Sequence, residues 1–177
     1  DATIKGSETG SSFKQALYFM KCGFNLHDTM IYEKNSSTYP ANNKSNRYSQ
    51  IFEYMFIFSK GKPKTHNLIK DKPNKWAGYK DFSGKLKNPV PEFSPRNNIW
   101  KYTTSFNGKT GHPAVFPEQL AYDHILSWSN KGNTVLDCFL GSGTTGKTAK
   151  QLSRNFIGIE ISKEYLDIAK ERIKNDR

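Results

Sequence analysis

The stretch Val135–Lys150, VLDCFLGSGTTGKTAK, decides the fold. Its first residues, TVLDCF from Thr134, read as a strand, and Gly141 to Gly146 turn that strand into a helix running to about Leu152. Three ligand-binding patterns overlap on the turn. Gly141, Gly143 and Gly146 spell G-x-G-x-x-G, the dinucleotide pattern. Gly141, Gly146, Lys147 and Thr148 spell G-x-x-x-x-G-K-T, the phosphate loop of an ATPase. Asp137 with the same glycines spells a loop for S-adenosylmethionine (AdoMet). One physical basis serves all three: glycines let the backbone turn tightly and approach a ligand, and the helix behind the turn aims N–H groups at anions.

The flanks extend the pattern. NFIGIE, from Asn155, is a second strand ending in Glu160. Ser162 can cap a last helix, whose Leu166, Ala169 and Ile173 fall at i, i+3 and i+7. Upstream, Pro117 opens a helix with Leu120, Ala121, Ile125 and Trp128 on one face, closed by Gly132. The C-terminal third therefore reads as a helix followed by one βαβ unit and a final helix.

Charge separates the three ligands. An ATPase needs an acidic magnesium ligand at the end of another strand, and the stretch from Thr148 to Arg177 holds one strand, already the neighbour. Asp137 would repel phosphates. A dinucleotide gains from Glu160, which ends the strand after the glycines and is placed as a ribose acid, but again meets Asp137 where pyrophosphate belongs. AdoMet has a ribose for Glu160, no phosphate for Asp137 to repel, and a sulfonium and an ammonium that an acid stabilises. AdoMet fits best. A structural βαβ without a ligand stays open beside it.

Composition sets the class. The chain has 177 residues, 24% charged and 14% aromatic, enough for a folded domain with a real core. The longest apolar run, Tyr54–Phe58, is strand length and far below the ~20 residues of a membrane span. The N-terminus has no signal-peptide pattern. Cys22 and Cys138 form no C-x-x-C pair and the four histidines are scattered, which implies no metal site and fits a reducing cytoplasm. The net charge of +11 favours a polyanionic partner. Lys60–Lys101 carries eleven Lys or Arg against three acids, so one segment supplies most of the excess.

The rest of the chain divides by period. Ser12–Cys22 reads as a helix stopped by Gly23. Phe24, Leu26, Met30 and Tyr32 keep a period of two, a strand. Asn35–Gln50 is a polar loop, and IFEYMFIFSKG is a second strand ending at Gly61. From Lys62 to Gly111 no period is sustained, yet Trp76, Tyr79, Phe82, Phe93, Trp100 and Tyr102 are interleaved with lysines, too many aromatics for a disordered tail. The expected organisation is 1–61 as part of an α/β domain, 62–111 as an irregular insertion and 112–177 as the ligand-binding βαβ part.

HPAVFPEQL (His112–Leu120), TVLDCFLGSGTTG (Thr134–Gly146) and NFIGIEISKEYLDIAKERI (Asn155–Ile173) together resemble the AdoMet-dependent amino-methyltransferases of DNA, in the β-class order with cofactor motifs at the C-terminal end. SSFKQALYFMKCGFNLHDTMIYEK and QIFEYMFIFSKGKPK are similar to that family's segments after its catalytic motif. The resemblance covers most of the chain except Lys62 to about Arg96. It implies a Rossmann-like α/β fold with a circularly permuted motif order, and transfer of a methyl group from AdoMet to adenine N6 or cytosine N4 in double-stranded DNA. His112, Pro113, Phe116, Pro117 and Glu118 resemble the motif lining the methionine side. Asp137, Phe139, Gly141, Ser142, Gly143 and Thr144 resemble the glycine loop, Glu160 the ribose acid, and Ile161 the neighbour of the adenine. Cys138 stands where the family usually has proline. The basic insertion lies where the family carries target recognition, which makes Lys75, Lys80, Lys85, Lys87 and Arg96 DNA candidates, with Arg47 from the polar loop.

One family motif is missing. The tetrapeptide [D/N/S]-P-P-[Y/W] holds the target amine, and this sequence has no Pro-Pro. No catalytic residue is therefore assigned. In the β-class order the tetrapeptide precedes the region matching Asp1, so the expectation is the C-terminal portion of an enzyme, N-terminally incomplete. A homodimer or a complementing N-terminal segment is expected to partner it. The alternative is a DNA-binding remnant that cannot catalyse alone.

Overall fold

A computed structural model describes residues 3–5, 7–35, 48–80, 83–84, 90–103 and 116–175. In chain order its elements are β1 (Thr3–Ile4), β2 (Ser7–Glu8), α1 (Ser11–Lys21), β3 (Asn25–Lys34), β4 (Phe52–Ser59), β5 (Lys70–Pro73), β6 (Phe93–Pro95), β7 (Ile99–Tyr102), α2 (Glu118–Trp128), β8 (Thr134–Asp137), α3 (Thr144–Gln151), β9 (Asn155–Gly158) and α4 (Lys163–Asn175). They fall into two compact units, Asp1–Lys64 with Asn98–Asn107, and Thr65–Asn97 with Gly108–Arg177. Among the described residues no helix is long and apolar enough to cross a membrane.

The first unit is built on a three-stranded sheet ordered β4-β3-β7. The period-two pattern of β3 buries Met30 and Tyr32, which are 2% and 4% exposed. β4 runs antiparallel to β3, and its alternate aromatics Tyr54, Phe56 and Phe58 line one face. α1 packs there: Phe13 lies 5.1 Å from Tyr54 and Phe19 lies 5.2 Å from Phe58, ring centre to ring centre. The helix stops at Gly23, φ 92°, where Phe24 N donates back to the Phe19 carbonyl at 3.2 Å.

β7 joins this sheet from a distance, parallel to β3 with Ile31 opposite Ile99 and Lys34 opposite Tyr102. The segment 62–111, expected as one insertion, is thus divided. Its Asn98–Asn107 part belongs with the β3 sheet and its Thr65–Asn97 part with the C-terminal unit. The cause is pairing: β7 satisfies its backbone groups on β3, with Ile31 N donating to the Asn98 carbonyl at 2.9 Å.

The second unit holds the βαβ. β8 and β9 are parallel, with Thr134 opposite Asn155 and Asp137 opposite Gly158, and α3 makes the crossover. Ile125 of α2, Ala149 of α3 and Leu152, which ends α3, form its core, and Val135 and Phe156 pack on it from the strands. The alternation turns Leu136 and Ile157 to the opposite face, where they are 57% and 54% exposed. Ser162 caps α4 as expected: its hydroxyl accepts from Tyr165 N at 3.4 Å and its carbonyl from Leu166 N at 3.0 Å.

The remaining piece is a hairpin of β5 and β6, anchored to α2 of the same unit. Arg96, just past β6, forms ion pairs with Asp71 and with Asp123 of α2. Asn67, ahead of β5, caps the end of α2: its Nδ2 donates to the carbonyls of Leu126 at 3.2 Å and Ser129 at 3.0 Å.

Candidate functional site

The turn after β8 is closed by backbone before any side chain acts. Ile159 N donates to the Asp137 carbonyl at 2.8 Å, and Leu140 N donates to the Ile159 carbonyl at 3.0 Å. The strands therefore stay paired past their formal ends. Gly143 N then bonds the Leu140 carbonyl at 3.0 Å. Gly143 has φ 84°, and a Cβ there would lie 2.8 Å from Ala169 Cβ of α4. At Gly146 a Cβ would meet Ile173 Cδ1 at 2.5 Å. These two glycines serve the packing of α4 as much as any ligand.

Two acids sit at the ends of the paired strands. Asp137 Oδ1 accepts from Phe139 N at 2.9 Å, which fixes the residue replacing the family's usual proline, Cys138, between two held neighbours. Glu160 straddles two segments: Oε2 accepts from Gly141 N at 2.8 Å and Oε1 from Ser162 N at 2.9 Å. Glu160 thus staples the glycine turn to the start of α4. A carboxylate oxygen accepts more than one hydrogen bond, so this stapling is compatible with a ribose at the same group.

Sequence reasoning missed Arg172. Its Nη1 reaches back from α4 to the Ser142 carbonyl at 2.6 Å and the Ser142 hydroxyl at 2.7 Å. Ser142 and Thr144 are each 4% exposed, so this guanidinium holds the buried underside of the turn. No local motif announces a contact between positions so far apart in the chain.

The pieces of the phosphate-loop pattern are otherwise engaged. Lys147 Nζ pairs with Glu118 at the start of α2 at 2.9 Å, and Thr148, 0% exposed, donates its hydroxyl to the Thr144 carbonyl at 2.8 Å. A buried hydroxyl spent inside its own helix is poorly placed to hold magnesium. Beside the acids stand two bare apolar side chains, Phe139 at 91% and Ile161 at 99% exposure. Pro117 caps α2, with half-exposed Phe116 ahead of it. His112 and Pro113 lie outside the described residues.

Of the DNA candidates, Lys75 and Lys80 are exposed on the hairpin turn. Arg96 is committed to Asp71 and Asp123, so the structure gives it a tethering role where an open guanidinium was expected. Arg47, Lys85 and Lys87 lie outside the described residues. His124 on α2 has its pKa lowered to about 4, because burial penalises the charged ring more than neighbouring Asp123 favours it.

Comparison with known proteins decides among the loops. The DNA methylase family of N6 and N4 enzymes matches residues 2–171. The chain belongs to that family. It is 56% identical to the orphan methyltransferase M.BamHII of Bacillus amyloliquefaciens, over 99% of this chain and 72% of that protein. To the type II methyltransferase M.SmaI of Serratia marcescens it is 36% identical, over 74% of this chain but 41% of that protein. Among solved structures, the complex of M1.HpyAVI with SAM aligns over 94% of this chain and 71% of that one, with 32% identity and a TM-score of 0.64. The cytosine-N4-specific PvuII methyltransferase shares the fold at a TM-score of 0.73 and 22% identity, covering 97% of this chain and 60% of that one. The Rossmann-like AdoMet-methyltransferase fold is therefore the fold of this chain.

Proposed function

We propose that this chain carries the AdoMet-binding and DNA-recognising parts of a site-specific DNA methyltransferase acting on adenine N6 or cytosine N4 in double-stranded DNA. The observation that carries it is the pair of acids, Asp137 and Glu160, at the ends of two paired parallel strands around a buried glycine turn. AdoMet supplies the activated methyl group. Glu160 accepts from the ribose hydroxyls. Phe139 and Ile161 cover the adenine, and Asp137 faces the cationic end. Phe116, Pro117 and Glu118 close the methionine side, joined by His112 and Pro113. Lys75 and Lys80 neutralise DNA phosphates. Cytoplasmic location follows from a DNA substrate and unpaired cysteines.

No Pro-Pro occurs in the 177 residues. In this reading the groups that hold the target amine come from residues beyond these, on this polypeptide or on a complementing one, and a homodimer is a further arrangement. The same fact favours a second reading, a remnant that binds DNA without methylating it. Methyl transfer from labelled AdoMet to duplex DNA separates the two: the remnant binds in a salt-dependent way and transfers nothing.

The cofactor assignment is tested by calorimetry. Glu160→Ala should weaken AdoMet about 10- to 100-fold, the value of charge-assisted hydrogen bonds, and Lys147→Ala should change it little. ATP binding that disappears in Lys147→Ala would replace this reading with a nucleotide-dependent one.

A further inference from the structure

The turn of the β5–β6 hairpin carries three lysines and no acid between Lys72 and Lys80: KPNKWAGYK. Two aromatic rings stand in it. Trp76 is 64% exposed and Tyr79 53%. They contact each other edge to face, with ring centres 5.5 Å apart and planes at 85°. The turn beneath them is held in place. Asn74 N donates to the Glu92 carbonyl and Asn74 Nδ2 to the Pro91 carbonyl, both at 2.9 Å. Ala77 N returns to the Asn74 carbonyl at 3.2 Å and Tyr79 N to the Trp76 carbonyl at 3.1 Å. Gly78, φ 72°, supplies the reversal between the rings. Asp71 and Asp81 flank the stretch on either side, and Asp71 is paired with Arg96.

A lone exposed tryptophan needs no explanation. A tryptophan buttressed by a tyrosine, on a turn fixed by four backbone-accepting hydrogen bonds and flanked in sequence by lysines, has the composition of a base-stacking platform. Every base has a π-face, and the lysines supply the phosphate affinity that an apolar protein partner would not use. We propose that Trp76, braced by Tyr79, stacks on a base of the bound DNA where the duplex is opened, while Lys75 and Lys80 hold the flanking phosphates. The inference rests on the DNA reading above and adds to it the contact that favours distorted over regular duplex. Extruding a base breaks stacking, and an aromatic side chain inserted at that step replaces part of what is lost.

Tryptophan emission gives a direct test on the full chain. Of the three tryptophans, Trp100 is 5% exposed and Trp128 half-buried, so Trp76 is the fluorophore open to solvent. The probes are a duplex oligonucleotide containing one unpaired base and its fully paired counterpart. The unpaired-base duplex should quench Trp76 emission and bind more tightly than the paired one. Trp76→Ala should lose about 5- to 100-fold in affinity for it with AdoMet affinity unmoved. Trp76→Phe should recover most of that loss and Trp76→Leu little, because stacking needs a ring. If Trp76→Ala binds as wild type while Lys75→Ala and Lys80→Ala lose salt-dependent affinity, stacking is overturned and the DNA reading stands. If no variant changes binding because no duplex binds, the DNA reading itself has failed. Concentration-dependent self-association that Trp76→Ala abolishes would overturn the proposal in favour of a protein partner.

Discussion

The glycine turn after β8 and the hairpin turn after β5 are both held by a polar side chain against backbone, Glu160 in one and Asn74 in the other. Their surroundings differ. Ser142 and Thr144 are 4% exposed with α4 pressed against them, whereas Trp76 stands 64% exposed with two lysines for company. The first turn uses glycine to admit a helix against it. The second uses glycine to present rings outward. Positive φ is common to both and says nothing by itself about which task a turn performs. What lies around the missing Cβ tells them apart.

The largest expected effect attacks that difference. Gly143 and Gly78 both have positive φ, 84° and 72°, but a Cβ at Gly143 would meet Ala169 at 2.8 Å and one at Gly78 would meet nothing within 4 Å. Gly143→Ala adds overpacking, about 1–3 kcal/mol, to a left-handed backbone cost of about 1–2 kcal/mol. Gly78→Ala carries the backbone cost alone. Denaturant titration should rank Gly143→Ala well below Gly78→Ala, and equal losses would remove the distinction between the turns.

Next comes the helix that joins the two turns. α2 carries Glu118 toward the glycine turn and Asp123 toward the hairpin. His124 between them has a folded pKa of about 4, against an ordinary 6.5. The unfolded chain therefore binds a proton first as pH falls. Stability is intact above about pH 6.5, declines between 6.5 and 4, and loses on the order of 3 kcal/mol from this group over that window. Melting temperature followed against pH should show the decline, and His124→Gln should flatten it.

The smallest effect is at Lys147. Its pair with Glu118 is partly exposed, so Lys147→Ala should cost no more than about 1 kcal/mol. A loss of several kcal/mol on thermal or chemical unfolding would mean that the two turns are coupled through this pair far more strongly than its exposure allows.

The same contrast explains what could be read from sequence. The glycine turn is legible because its determinants are local: a strand of β-branched and apolar residues, glycines at fixed spacing, and an acid, Glu160, at the next strand's end. The hairpin is not. KDKP and FSP are too short and too polar to show a period of two, and a long irregular stretch separates them. β7 hides for a related reason. IWKY alternates apolar and polar only weakly, and its partner is the distant Ile31–Lys34 of β3. Arg96 reads as a DNA-facing cation because nothing in its sequence neighbourhood foretells Asp123, on a helix further along the chain. Long-range ion pairs leave no periodic trace.

One contact bears on when the protein becomes competent. Arg172 anchors the Ser142 carbonyl from the last described helix, and Lys150 Nζ in turn donates to the Ile173 carbonyl at 2.8 Å. Chains emerge from the ribosome N-terminus first. The glycine turn is therefore translated well before the guanidinium that fastens its underside. Until Arg172 has left the exit tunnel, strand, turn and α3 can form but cannot be locked. The grip on the underside of the turn therefore comes only after the turn itself has been translated.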